Sequence, residues 1–575
     1  MNYPNPTSES RLRDSGIALR QSAEVLRPER LGAMRQSPLS FVRSLMSRAI
    51  RDRWQITLES IDVDANGDGH AVYRIAIPPN YVFHLIVFSG RAPEVPTDRA
   101  WEVNWDILVW LIEGEPDPAR IASAAAENAA IIRGYGRPGM DTLSWTRANR
   151  SGRLFAHTVD RLAEGRQPDI ELVANTGYLI RNIYYQANGM LGTRMFGAYP
   201  ADHPLRGAYQ VQMLGIIMMR EFSFDLVAQM ARARSPSAVP LDPAIRNYLG
   251  VGNATGIGLN LVFANHPRLM CRWLEQRETA LATALQRPAF AGGSGKRMLG
   301  LLDRYLAYSA ADRTADDGLI PASAETRRGI CLFRDQLVGG AAHPGGFTTW
   351  QHLSAPVESR MTVEAQEAVN ALLLESYPEI CATVDPHTSA SEALELSPEM
   401  TIGRLLELVE ANFGWALATD IDDPAESHWI WYRSVEGEEP RLAVASEGTV
   451  SPYRNLIRNT PRLIQRMTAD AKARDRLDIV ARLLLEHPEH RDIVRIVQAE
   501  PSMRYGMLQT NMLHEDFSPL HLTRFVLQAL KGMDRSSSMS DRWVRGVFLQ
   551  GAPTRDEISA GTAAADWVYP ALPAG

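Results

Sequence analysis

Three short runs rich in Val, Ile and aromatic residues, at residues 54–61, 71–77 and 81–88, follow one another at hairpin spacing near the start of the chain. After about residue 140 the apolar spacing turns helical, with long stretches at 210–232 and 269–285. This order predicts an α+β protein, predominantly helical, with a small antiparallel sheet near the N-terminus followed by a large helical body. A fourth apolar run, 101–112, suits strand or helix. Asp117-Pro118 then reads as an N-cap and first-turn pair opening a helix toward residue 132.

At 575 residues the chain exceeds what one ordinary core organises. The expected division is a mobile, proline-punctuated arm at 1–38, a small α+β unit at 39–140, and a helical middle domain at 141–310 carrying a candidate internal duplication. A mainly helical C-terminal domain follows at 311–575. Further helices are expected at 363–376, 401–412 and 477–486, where Val369, Leu372 and Leu373, or Leu477, Val480 and Leu484, share a face.

Charge and hydropathy exclude two partner classes. A net charge of −7 without any block of Lys or Arg gives no footprint for nucleic acid. Apolar runs such as 82–88 and 213–219 fall far short of the roughly 20 residues that span a bilayer, so no membrane partner is expected and the chain reads as cytosolic. Its size is compatible with a homo-oligomer. Cys271, Cys331 and Cys381 stand apart in apolar settings and read as buried free thiols. Of the 60 basic residues only Lys296, Lys472 and Lys531 are lysines, which confines any lysine chemistry to three positions.

Several short patterns touch on cofactors and metals. Asp62-Val-Asp64-Ala-Asn66-Gly67-Asp68 begins like a calcium loop, yet Tyr73 holds the twelfth position and the flanks read as strands, so a polar hairpin turn is expected. Gly252, Gly256 and Gly258 have the spacing of a dinucleotide turn, but residues 245–251 make a poor buried strand and no lysine follows a tyrosine by four. Gly292-Gly-Ser-Gly295-Lys296 lacks the first glycine and the magnesium-binding hydroxyl of a phosphate loop. His487-Pro-Glu-His490 and the looser group His514, Asp516 and His521 come without a third ligand at recognisable spacing. Neither a cofactor nor a metal is expected.

The candidate duplication supplies the functional expectation. Ile180-Arg181-Asn182 and Ile245-Arg246-Asn247 are each followed by an asparagine seven residues after the arginine, Asn188 or Asn253. Glycines, a phenylalanine and a His-Pro pair then follow in the same order, ending at His203 and His266. Ile457-Arg458-Asn459 lacks that trailing pattern, so the tripeptide alone says little. Guanidinium forks pair carboxylates or phosphates through two bonds, and glycine-flanked amides orient them. Arg181, Asn182, Asn188, Arg246, Asn247 and Asn253 are therefore the expected substrate-binding residues. His203, His266, Tyr184 and Tyr185 are the expected proton-transfer groups.

A polar-aromatic cluster at 426–433 adds His428 as a pocket candidate. The leading expectation is an enzyme, a lyase, isomerase or hydrolase, using acid–base chemistry on a small carboxylate-type anion. The alternative is a helical scaffold or regulatory module whose C-terminal helices, 461–530, expose an apolar stripe to protein partners.

Overall fold

The computed structural model describes residues 18–90, 106–124, 142–150, 152–187, 199, 203–207, 209–253, 267–311, 321–342, 348–384, 396–418, 420, 454–499, 505–506, 519–540, 543–564 and 566–574. Its fold is α+β and helix-dominated, and the sheet is larger than the three N-terminal runs imply. Among the described residues nine strands line up in the order β1-β2-β3-β4-β5-β6-β7-β9-β8. They are β1 (Gln55–Val63), β2 (Gly69–Ile77), β3 (Tyr81–Ser89), β4 (Ile107–Glu113), β5 (Thr142–Arg150), β6 (Tyr178–Ala187), β7 (Gly250–Asn253), β8 (Met533–Ser540) and β9 (Trp543–Phe548). Neighbours are antiparallel except β6 and β7.

The first hairpin turns where the calcium-like sequence stands. Asp64 Oδ1 accepts from the backbone N–H groups of Asn66 and Asp68 at 2.8 and 2.9 Å, closing a polar turn on itself. Gly69 follows at φ +146°, where a Cβ would stand 1.9 Å from the Asp62 carbonyl oxygen. The parallel pair β6/β7 needs a crossover, which the helix Gln210–Arg234 provides.

That helix is apolar around almost its whole circumference, and buried residues from Val211 to Ala231 fit it to a place between other layers. Its 25 residues extend about 37 Å. The sheet from β1 to β7 is six inter-strand gaps wide, about 29 Å at about 4.8 Å each. One helix thus crosses that width and touches β1, β3, β4, β5, β6 and β7. The opposite, outer face carries a smaller cluster, Ile86, Phe88, Leu108, Trp110, Ile112 and Trp145 with Ala124. Ala124 belongs to the helical turns at 118–124, whose start is capped by Asp117 Oδ1 accepting from Ala119 N–H at 2.8 Å.

Two of the expected domain readings change. Residues 18–38 are not a mobile arm: Val25, Leu26, Leu31 and Met34 are buried in the main core. Arg20 and Arg30 anchor them further, reaching the buried carboxylates of Glu278 and Glu367, which Arg277 also holds. The C-terminal region is likewise not one unit. Residues 330–384 and 525–569 contribute to the same core as the N-terminal half, while Ile402 to Val497 build a second core of their own.

The last strands reach the sheet because β7 is small enough to admit them. A Cβ at Gly250 would come 2.1 Å from the Phe548 carbonyl oxygen of β9, and one at Gly252 would enter the Tyr178 ring of β6 at 2.7 Å. Gly252, which has the spacing of a cofactor-turn glycine, is therefore a packing glycine inside a strand. Among the described residues, no helix is long and apolar enough to cross a membrane.

Candidate functional site

Strand alternation sorts the expected residues onto two faces of the sheet. Ile107 and Ala148 pair on the core face, and Leu108 and Arg147 pair on the outer face. Asn149 follows on the outer face, and Arg181 of β6 stands directly opposite it, with Gly252 of β7 on its other side. Arg147, Asn149 and Arg181 are all half-buried. Two arginines on adjacent strands thus project from one patch of the outer face.

Arg181 shares with Arg246 a buried Nε that makes no hydrogen bond. It differs in its ion pairs: Arg246 is held by carboxylates, whereas among the described residues no carboxylate pairs with Arg181. A buried donor left unsatisfied costs about 1–3 kcal/mol. A guanidinium offers five N–H donors in a planar fork, the geometry that a carboxylate or phosphate completes.

His203 lies elsewhere. It is 4 % exposed, stacked on Tyr199 with ring centroids 3.8 Å apart and met edge-on by Tyr81 at 4.7 Å and Phe83 at 5.9 Å. Its Nδ1 accepts the Leu205 N–H at 3.1 Å, which assigns the ring proton to Nε2, 3.7 Å from Glu113 Oε1. Burial first, then the charge of Glu113, pushes the Tyr199 phenol above its ordinary range. Closed from 3.7 Å to hydrogen-bond distance, the pair would relay a proton between an imidazole and an exposed carboxylate.

It cannot do so for a ligand on Arg181. Phe83, against which His203 packs, belongs to the core face and pairs with Glu113 at the C-terminal end of β4. Arg181 is level with the opposite end of β4 and on the other face. The strand between is about 20 Å long. The expectation that Arg181 and His203 serve one small substrate is corrected by the sheet that separates them.

The two Arg-Asn segments are not equivalent units either. Ile180-Arg181-Asn182 is extended in β6, whereas Ile245-Arg246-Asn247 lies in the short helix Pro243–Tyr248, begun by Pro243 and capped by Asp242. Arg246 stacks over Phe224 of the crossover helix, 5.5 Å from its centroid, on the core side of the sheet. Its guanidinium lies 3.4 Å from Asp556 and 3.9 Å from Glu221. Asn247 Nδ2 donates to Glu557 at 3.4 Å. Both residues tie this helix to the C-terminal segment, so Arg246 and Arg181 do not converge on one anion.

That tie belongs to a larger buried ionic group. Arg220 donates to the carbonyls of Leu249, Arg246 and Asn247 and to Glu221. Arg555 grips Asp225 through both terminal nitrogens, and Tyr73 donates its hydroxyl to the same carboxylate at 2.6 Å. Burial raises the Glu221 carboxyl above its usual range, with Arg220, Arg246 and Arg555 pulling the other way. The hydrogen bonds within the group run between helix, strand and terminus, which marks it as structural.

Asn188, His266 and His428 lie outside the described residues, as does the rest of the 426–433 cluster. Tyr184, Tyr185, Asn182 and Asn253 are placed by backbone alone: Tyr184 pairs with Arg147, Tyr185 with Thr146, and Asn182 with Ala148 and Asn253. Lys296 is exposed at the start of the helix Ser294–Ala311. Cys271 and Cys381 are buried free thiols, but Cys331 is exposed, contrary to its apolar sequence setting. A His–His–Asp group that the sequence did not bring together, Asp470 with His487 and His490, forms in the second core region. No protein-family model, no curated protein and no solved structure matches the chain.

Proposed function

We propose that the chain is an enzyme that binds a small carboxylate-type anion on the outer face of β5 and β6, with Arg181 as the anion-holding residue. The carrying observation is that the half-buried Arg181, with its Nε buried and making no hydrogen bond, has no carboxylate partner among the described residues. Arg147, on the same face, adds a second positive charge within diagonal reach across the pair of strands. Tyr184, whose backbone pairs with that of Arg147, is kept as the proton-transfer candidate on its residue type, because a tyrosine hydroxyl both donates and accepts. Lyase, isomerase and hydrolase chemistry all use this pairing of an oriented anion with a proton-transfer group.

The test is thermal unfolding in the presence of mono- and dicarboxylates, with inorganic phosphate as a second anion. A carboxylate that stabilises the wild-type chain and fails to stabilise Arg181→Gln supports the reading. Substrate turnover abolished by Tyr184→Phe, with anion binding retained, supports the proton-transfer role.

One observation favours the interaction-module reading. Leu477 and Leu485 are each 82 % exposed beside the helix Val480–Glu486 and within it. Isolated exposed leucines are ordinary on protein surfaces, so two of them weigh less than a half-buried guanidinium that no carboxylate pairs with among the described residues.

A further inference from the structure

The second core, built from Ile402 to Val497, brings together three metal-ligand side chains from two separate elements. Asp470 stands in the last turn of the helix Arg454–Lys472. His487 ends the helix Val480–Glu486, and Pro488 turns the chain through one 3-10 turn to His490. His490 Nε2 lies 2.7 Å from Asp470 Oδ2, and His487 Nδ1 lies 3.7 Å from the same oxygen. One ligand atom from each residue falls within 4.8 Å of the others. The two imidazoles face each other with centroids 5.5 Å apart.

We propose that Asp470, His487 and His490 form a zinc site with an open coordination position. Two imidazoles and one carboxylate are ligand types that zinc takes in three-ligand sites, leaving a fourth position for water. Two ligands about 2.0–2.1 Å from a tetrahedral ion stand about 3.3 Å from each other. The 3.7 Å pair closes by a few tenths of an ångström and the 2.7 Å pair opens by a similar amount. His487 and Asp470 are 35 % and 38 % exposed, so an ion enters from solvent, while His490 at 2 % fixes the inner wall. Glu489 Oε1, 3.4 Å from His487 Nδ1, lies on the rim of the site and is suited to accept from the bound water.

The same geometry sets the affinity. Coordination through His490 Nε2 moves that ring's proton to Nδ1, which is buried and has no hydrogen-bond partner among the described residues. Metal-ligating histidines ordinarily donate this proton to a carboxylate or carbonyl, and losing such a partner weakens binding about 10–100-fold. The site is therefore weaker than a closed structural zinc, with a dissociation constant on the order of 1 μM. Binding locks the helix Arg454–Lys472 to the turn at Pro488–His490 in place of the direct Asp470–His490 hydrogen bond.

The experiment is calorimetric titration of the chelator-treated full-length chain with Zn²⁺, paralleled by Co²⁺ titration followed in the visible. One equivalent bound in the micromolar range, with a cobalt band, is expected. His487→Ala and Asp470→Asn, both at partly exposed positions and checked for folding by circular dichroism, should each weaken binding at least tenfold and erase the band. Unchanged affinity and stoichiometry in both folded variants, or no saturable binding by the wild-type chain, overturns the proposal.

Discussion

Arg555 and Asp225 meet 330 residues apart in the chain, the guanidinium gripping the carboxylate through both terminal nitrogens. This pair fastens the C-terminal helix Arg555–Ala560 to the crossover helix beneath the sheet, with Tyr73 of β2 donating into the same carboxylate. Removing one partner of a largely buried ion pair leaves the other charge without compensation. Arg555→Ala is expected to lower stability by about 3 kcal/mol in urea denaturation. A loss under about 1 kcal/mol would mean that the grip is the weak kind found on surfaces.

Glu367 carries an acid-sensitive share of the stability. Burial alone would raise its carboxyl, but Arg20, then Arg277 and Arg30, hold it well below the usual carboxylate range. A folded-state value below the unfolded one, about 4.3, makes this contribution complete above that pH and lost as pH falls toward the folded value. Glu367→Gln should cost about 3–5 kcal/mol at pH 7, and the gap from wild type should narrow on going to pH 3.5. Urea midpoints at the two pH values decide it, and a constant gap speaks against the linkage.

Gly250 governs whether the chain's last strands join the sheet. A Cβ there would meet the Phe548 carbonyl oxygen, which is backbone and has little room to yield. Gly250→Ala is expected to lose about 1–3 kcal/mol or more and to speed hydrogen exchange in β9 selectively. Exchange in β9 that matches wild type would show that β7 and β9 accept a side chain between them.

The hairpin strands, the Asp117 cap and the helices at 210–234 and 363–376 were legible because each follows from local spacing. What local spacing hid was partnership at long range. β5 opens just after a Gly-Pro break and β6 carries the polar Arg181-Asn182, so both read as part of a helical body until the sheet supplies their neighbours. β8, with Ser536, Ser537 and Ser538, has almost no strand propensity of its own and is ordered by pairing with β9. The resemblance between the two Arg-Asn segments was real as an order of residue types, yet one is extended and the other helical. Proline at the first helical position and Asp242 at the cap decided that difference.

The candidate site divides in the same way. Residue type drew attention to arginine, but only the fold separates Arg246, held by Asp556 and Glu221, from Arg181, with which no carboxylate pairs among the described residues. Asp470 was invisible as a third ligand because it reaches His487 and His490 from another helix.

The central claim is that Arg181, and not Arg246, holds a small anion. Thermal unfolding of wild type, Arg181→Gln and Arg246→Gln against a panel of carboxylates and phosphate tests it directly. A ligand present at about a hundred times its dissociation constant should add roughly 2.7 kcal/mol to wild type and to Arg246→Gln, and nothing to Arg181→Gln. Equal stabilisation of Arg181→Gln, or no stabilisation of wild type by any of these anions, contradicts the claim.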